Sequence, residues 1–379
     1  SKNNCNKKMN ITYITEYLPY KNEDDITGGV ESRCINIAKR ISKKHNLTVI
    51  TSWRKGQKRK HKINNIRVLR VGPNHKYSNE SSIISRLNFA KAAYNLAKKV
   101  KADIVEGYNF TTYLPAYYAA KKVKAKKIAT YHEVWINEWI KNKGLMTGIV
   151  GEIAERIILS LKWDKIIAVS NFTKKRIKNQ NVETVYNGIN PNKKQEKKYK
   201  KKTLITISRL TPHKRVQDLI KATYLLKKDN PNIKLIIIGK GEEENKLKLL
   251  TKKLKLNIEF INFVEDHENL IKILKKSHIF CLPSVLEGFG IVIVEAMASN
   301  TPYVCSDIEV LKEVTKNSKG GLIFKQKNPK DLANKIAILL KDKRLYKKKQ
   351  KEAKELSKEY EWDTLANKIN KIYENEIQH

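Results

Sequence analysis

Residues 283–298, Pro283-Ser284-Val285-Leu286-Glu287-Gly288-Phe289-Gly290-Ile291-Val292-Ile293-Val294-Glu295-Ala296-Met297-Ala298, form the densest pattern in the chain. The apolar strand Ile279 to Leu282 ends at Pro283, and two glycines then allow close backbone approach. A helix is predicted to begin near Gly290, with its free amides pointing at the loop. That is an anion-binding geometry. Glu287 lies in the loop and Glu295 more than a turn into the helix. The spacing of the two carboxylates decides little alone: 38 acidic residues in 379 supply about four acidic pairs at any fixed separation.

The same strand–loop–helix unit recurs on both sides of this run. Before it lie apolar strands at Leu204 to Ile207, Lys234 to Ile238 and Ile258 to Ile261, and after it Tyr303 to Cys305 and Leu322 to Phe324, each followed by a helical stretch. Further back, strands are predicted at Ile11 to Thr15, Leu47 to Thr51, Ile66 to Val71, Asp103 to Glu106, Ile128 to Tyr131, Lys165 to Val169 and Val182 to Tyr186, with helices between most of them. Short apolar strands alternating with helices give parallel sheets covered on both faces. Residues 193–202 carry seven like charges and no apolar periodicity, so they read as a solvated basic linker. The chain therefore divides into a Rossmann-like domain over 1–190, a linker over 191–202 and a second Rossmann-like domain over 203–360. A terminal helix over 361–379 is expected to pack back on the first. The expected fold class is α/β, with two facing, doubly wound parallel-sheet domains and ligands held at strand carboxyl ends in an interdomain cleft.

Composition sets the outer limits. At 40% hydrophobic and 31% charged residues the chain is neither disordered, collagenous nor membrane-embedded. No apolar run approaches the roughly 18 residues of a spanning helix, and Ser1 to Lys8 lack the apolar block of a secretory signal, so cytoplasmic residence is expected. Cys5, Cys34, Cys281 and Cys305 are too scattered for a disulfide framework or metal knuckle and read as reduced and structural. The net charge of +40 is unusual. Residues 1–190 hold 37 basic and 14 acidic residues and the remainder 41 and 24, so both halves are basic. Such a field favours polyanionic partners: nucleic acid, an anionic membrane face or nucleotide-linked substrates.

The run Glu287-Gly-Phe-Gly to Glu295-Ala-Met-Ala resembles the E-x7-E motif of retaining glycosyltransferases with the GT-B fold, particularly family 4. Other landmarks stand in that family's order: Gly28-Gly29-Val30-Glu31, Tyr131-His132-Glu133, Val169-Ser170, Tyr186-Asn187-Gly188-Ile189, Ser208-Arg209-Leu210 to Lys214, and Gly239-Lys240-Gly241. The resemblance implies sugar transfer from a nucleotide-diphosphate donor, as a hexosyltransferase, without a metal cofactor. It places Glu295 on the donor ribose, Glu287 with the Phe289-Gly290-Ile291 backbone on the transferred sugar, Gly29 on the pyrophosphate and Gly239 near the nucleoside. Arg209 and Lys214 follow the first strand of the second domain, where two cations can neutralise a diphosphate and stabilise the charge that grows as it leaves. Without the resemblance they would read as solvated cations in a Lys-rich chain. His132 ends a strand at the ligand-holding edge, and the resemblance sets it beside the reacting sugar. His45, His61, His75, His213, His267, His278 and His379 read as structural or exposed.

Three positions depart from the family: Asn300 and Ser208 stand where Gly is common, and Arg215 where Gly often follows the lysine. No Asp-x-Asp metal motif is present, which fits a metal-independent mechanism. The expected acceptor is a lipid-linked or cell-envelope glycoconjugate, with the protein peripheral at the inner face of an anionic membrane. The rivals are a soluble sugar or sugar-phosphate acceptor and, in a different class, a basic nucleic-acid-binding protein. Against the latter, the charge is dispersed and no nucleic-acid module or aromatic platform is present, so no specific nucleic acid is expected. The basic stretch Arg54 to Lys62 is expected to be a solvated loop, with anionic lipid as its other reading. The segment Leu145, Met146, Ile149, Val150, Ile153, Ile157, Leu161 is expected to pack in the core, with an interfacial helix as its other reading.

Overall fold

The computed structural model describes residues 8–20, 26, 28–75, 82–178, 180–191, 194, 196–264 and 266–378, without the side chains of 142 and 143. Cys5, His379 and parts of the expected leader, of the loop over 17–27 and of the linker lie outside the described residues. The chain forms two compact units: Ser1–Tyr186 with Trp362–His379, and Asn187–Glu361.

The first unit is built on an eight-stranded sheet. Its strands are β1 (Asn10–Thr15), β2 (Asn46–Trp53), β3 (Lys60–Ile63), β4 (Ile66–Asn74), β5 (Ile104–Gly107), β6 (Lys126–Tyr131), β7 (Lys165–Ala168) and β8 (Val182–Thr184). They lie in the order β3-β4-β2-β1-β5-β6-β7-β8, and every pair is parallel except β3 with β4. The antiparallel β3 was not legible because His61 and Ile63 alternate with lysines in a run that reads as solvent-facing throughout. Lys58, Arg59, Lys60 and Lys62 are exposed, and charged side chains on an edge strand discourage pairing with another chain. Arg59 also lies 4.2 Å over the Trp53 ring. The expected loop over 54–62 is thus partly a strand.

Ile14, Ile50, Leu69 and Val105 of the sheet pack with Phe89, Ala93 and Ala116 from the helices Ile83–Ala97 and Phe110–Val123 into a buried core. The terminal helix Trp362–Gln378 belongs to this unit. Tyr373 bonds to Tyr13 at 2.9 Å and donates to the buried Glu106, and Asn370 pairs with His45 at 2.7 Å.

One helix inverts the expected pattern. In Leu145–Ser160 the apolar side chains Leu145, Met146, Ile149, Val150, Ile153 and Ile157 are exposed, while Gly148, Gly151, Glu155 and Ile158 are buried. The glycines explain the choice of face. A Cβ on Gly148 would stand 2.5 Å from the Ile140 Cα, and one on Gly151 2.5 Å from the Trp139 ring, so only the glycine face seats this closely on Trp139–Lys143. The expected core placement of this stretch is corrected accordingly.

The second unit carries a six-stranded parallel sheet of β9 (Thr203–Ile207), β10 (Lys234–Ile238), β11 (Ile258–Ile261), β12 (Ile279–Leu282), β13 (Tyr303–Ser306) and β14 (Gly321–Phe324), in the order β11-β10-β9-β12-β13-β14. The strands are continuous apolar runs because helices cover both faces. Leu204, Leu235, Ile279 and Val304 pack with Leu219, Leu332 and Ile336 of the flanking helices.

Within the basic stretch over 191–202, Lys198 and Tyr199 lie against the second unit, while Lys194, Lys197, Lys200, Lys201 and Lys202 are exposed. The Lys198 ammonium donates to the Ser277 carbonyl and, at 3.0 Å, to Thr301 Oγ1, while the Tyr199 amide donates to the Lys276 carbonyl at 2.9 Å. Burial pulls the Lys198 amine down to about 8. Charge density in the sequence hid this, because a lysine whose ammonium finds fixed acceptors can lie down on a domain surface. Cys34, Cys281 and Cys305 are buried free thiols.

Candidate functional site

In the second unit the chain runs from β9 outward to β10 and β11, then returns to the other side of β9 as β12. Strand order reverses between β9 and β12, the place where such sheets hold ligands at their carboxyl ends. The charged residues singled out from the sequence sit there. Ser208 and Arg209 follow β9, and a short turn Pro212–Lys214 presents Lys214. After β12 the loop reaches Glu287 and Gly290, and the helix Ile291–Ala298 begins. The Val285 amide donates to the His213 carbonyl at 2.9 Å, tying the two loops together.

Across that tie, Lys214 Nζ donates to Glu287 Oε1 at 2.7 Å, with the two side chains 14% and 9% exposed. A charge-assisted bond between mostly buried groups fixes both heads. Gly290 caps the helix with φ 78° and ψ 54°, left-handed values that favour glycine, and a Cβ there would also meet Leu311 at 3.0 Å. Phe289 is buried and packs edge-on against Tyr360, its centroid 5.9 Å away, so it contributes backbone rather than ring to the loop surface. Glu295 stands on the fifth helical residue and meets His267 Nε2 at 3.1 Å. His267 opens the helix His267–Lys276, and nothing in its sequence surroundings marked it as a neighbour of the motif. Arg209 is exposed.

The loops after β9 and β10 are zipped together: the Ser208 amide donates to the Ile238 carbonyl at 3.0 Å and the Leu210 amide to the Lys240 carbonyl at 2.8 Å. Gly239 has φ 141°, and a Cβ on it would lie 1.9 Å from the Ser208 carbonyl oxygen; one on Gly241 would lie 2.2 Å from that of Leu210. Both glycines are required by this close approach, whatever they also face. The family departures have a local basis too. Arg215 and Asn300 are left-handed, with φ 53° and 55°, which explains why glycine suits both positions. Arg215 offsets part of that strain with a two-point bond to Asp218, both contacts at 2.9 Å.

In the first unit, Gly28 and Gly29 enter the helix Gly29–Ile41. His132 follows β6 at the carboxyl edge of the sheet. Burial, reinforced by the Arg33 guanidinium, pulls its imidazole down to about 3, so the ring is neutral at physiological pH. Its Nε2 is buried and makes no hydrogen bond to any of the described residues. Arg33 itself is held by the Val185 and Tyr186 carbonyls at 2.9 and 2.7 Å. Among the described residues, no group of three His, Cys, Asp or Glu side chains is placed to hold a metal ion.

Residues 27–193 match the family Glycosyltransferase Family 4, and residues 189–356 match Glycosyl transferases group 1. The chain belongs to glycosyltransferase family 4. The N,N'-diacetylbacillosaminyl-diphospho-undecaprenol alpha-1,3-N-acetylgalactosaminyltransferase of Campylobacter jejuni is 31% identical over 47% of this glycosyltransferase-family chain and 46% of its own length. The match spans about half the length of that relative and of others like it. Among solved structures, the sucrose-phosphate synthase of Thermosynechococcus elongatus superposes with a TM-score of 0.83 at 17% identity, over 97% of this chain and 99% of its own. HepE of Anabaena, in complex with UDP-glucose, gives 0.76 at 17% identity, over 97% and 100%. At these identities the likeness establishes the fold, which is GT-B.

Proposed function

We propose that this protein transfers a hexose from a nucleotide-diphosphate sugar to a lipid-linked acceptor, with retention of anomeric configuration and without a metal ion. The observation that carries the reading is the Lys214–Glu287 pair at the β9/β12 switch point, beside the Gly290 helix entry. Lys214 and Arg209 supply positive charge for the diphosphate, and it is worth most when the leaving phosphate gains charge. Glu287, its carboxylate oriented by Lys214, and the backbone of Phe289, Gly290 and Ile291 bind the transferred sugar. Glu295 takes the ribose, Gly239 lies near the nucleoside and Gly29 near the pyrophosphate. His132, neutral and with an unused Nε2, meets a sugar hydroxyl rather than serving as a base. The acceptor oxygen bonds to the anomeric carbon as the bond to the diphosphate breaks. Attack comes from the same face, and the departing phosphate oxygen takes the acceptor proton.

Support for the nucleotide donor comes from family membership and from a fold neighbour crystallised with UDP-glucose. Support for a lipid-linked acceptor comes from the Campylobacter relative, whose name contains a diphospho-undecaprenol, and from the net charge of +40, which suits an anionic membrane face. No helix of the described residues is long and apolar enough to cross a membrane, so contact of that kind would be peripheral for them. Thermal unfolding with a panel of nucleotide sugars tests the reading. A true donor at 100 times its dissociation constant adds about 2.7 kcal/mol of stability. Stabilisation by at least one donor, lost in Lys214→Ala, is expected; no stabilisation by any of them would refute it.

A further inference from the structure

The inverted helix Leu145–Ser160 has a consequence for where such a membrane would be met. Its largest apolar side chains point outward, with Met146 83%, Val150 68% and Ile153 54% exposed. Its acids do not. Glu155 is buried, accepting from the Trp135 amide at 3.0 Å and from Trp139 Nε1 at 2.7 Å. Glu152 is 17% exposed, pairs with Arg156 at 2.6 Å and accepts from the Asn137 amide at 2.8 Å. The outward face therefore combines exposed hydrocarbon with paired carboxylates, while Lys141 before the helix, 3.4 Å from its partner Glu138, and Lys162 after it are exposed. A surface facing only water is organised the other way round. On other helices of the same unit, Tyr118 of Phe110–Val123 and Ile83, Ile84 and Leu87 of Ile83–Ala97 are exposed as well.

We infer that the outward face of helix Leu145–Ser160 is a docking surface for an anionic lipid bilayer, with the apolar side chains entering the interfacial region and the flanking lysines meeting headgroup phosphates. The pairing of exposed hydrocarbon with cations and hidden acids fits anionic lipid, which attracts cations and rejects carboxylates. The inference rests on the proposed lipid-linked acceptor, and it moves the membrane contact from the basic strand β3, at the far edge of the sheet, to the helix between β6 and β7.

Co-sedimentation with phosphatidylcholine vesicles, with and without 30% phosphatidylglycerol, tests it on the whole chain. Wild type is compared with Met146→Ser/Val150→Ser/Ile153→Ser and with Lys58→Gln/Arg59→Gln/Lys60→Gln/Lys62→Gln. The expected result is binding to the phosphatidylglycerol vesicles that the serine variant loses by about tenfold or more, since three exposed side chains each give up interfacial burial. The β3 variant should stay within about threefold of wild type. Unchanged binding by the serine variant would overturn the inference, as would absence of wild-type binding. So would a concentration-dependent dimer of wild type, abolished by the serine substitutions, because the face would then meet a second copy. All three serines replace exposed residues, so unaltered thermal unfolding is expected. Vesicle binding is read without any transfer step, so its failure leaves the donor chemistry standing, and failure of every donor leaves the docking result standing.

Discussion

Replacing Lys214 by alanine removes one end of the 2.7 Å bond to Glu287 and leaves a carboxylate that is 9% exposed without its counter-charge. Two losses follow, and they can be separated. A hydrogen bond to a charged group contributes about 1.5–3 kcal/mol, and a domain of roughly this size shifts its midpoint by about 2–4 °C per kcal/mol, so the second unit should melt about 3–12 °C lower. Calorimetry is the assay, because Trp53, Trp135, Trp139, Trp163 and Trp362 all belong to the first unit and the second holds no tryptophan. Transfer should fall about 100-fold or more, near 2.7 kcal/mol, as charge growing on the leaving diphosphate loses its cation. In the double variant Lys214→Ala/Glu287→Gln the orphaned charge disappears, so most of the melting temperature should return while transfer stays low. Wild-type kcat/KM in Lys214→Ala would refute the reasoning. Recovery of transfer together with stability in the double variant would do the same, since Lys214 would then serve only to neutralise Glu287.

Gly239→Ala should cost about 3 kcal/mol or more, because its Cβ would lie 1.9 Å from a backbone oxygen that the β9 strand holds in place; calorimetric stability within 1 kcal/mol of wild type would contradict that packing. Burial raises the Glu155 carboxyl to about 7. The folded state then binds more protons than the unfolded chain between about pH 4.5 and 7, so this group's contribution to stability falls as pH rises through that window. Urea unfolding followed by tryptophan fluorescence should therefore show wild type losing up to about 3 kcal/mol more than Glu155→Gln between pH 5 and pH 8, and parallel profiles would exclude the burial argument. EDTA should leave turnover within about twofold, because cationic side chains take the place of a metal at the diphosphate; loss reversed only by Mg²⁺ or Mn²⁺ would overturn the metal-free mechanism.

Periodicity carried the strand–helix alternation because the central strands are continuous apolar runs that little else could bury. It failed where charge and burial part company. The β3 residues look like a solvated loop but pair at a sheet edge, and Lys198 looks like linker but finds a backbone carbonyl and a threonine hydroxyl. The helix Leu145–Ser160 has the spacing of a core helix and shows the opposite face to the protein, since the close seat of Gly148 and Gly151 decides its rotation and a periodicity argument does not weigh glycine contacts. At the candidate site the sequence pointed to Lys214 and Glu287 separately, 73 residues apart, and only the strand reversal between β9 and β12 joins them. His267 beside Glu295 had no sequence signal at all, because the contact depends on where another helix starts. The left-handed backbone at Arg215 and Asn300 explains why glycine is common at these two positions of the family, which the motif alone could not.

Proton NMR of the anomeric centre during turnover of the donor that stabilises the protein most strongly tests the central claim directly. With an α-linked nucleotide sugar and a lipid-linked acceptor, the account predicts release of nucleoside diphosphate and a first-formed product whose anomeric proton keeps the α coupling. A β-linked first product, or unchanged donor in the presence of every lipid-linked acceptor tried, would contradict it.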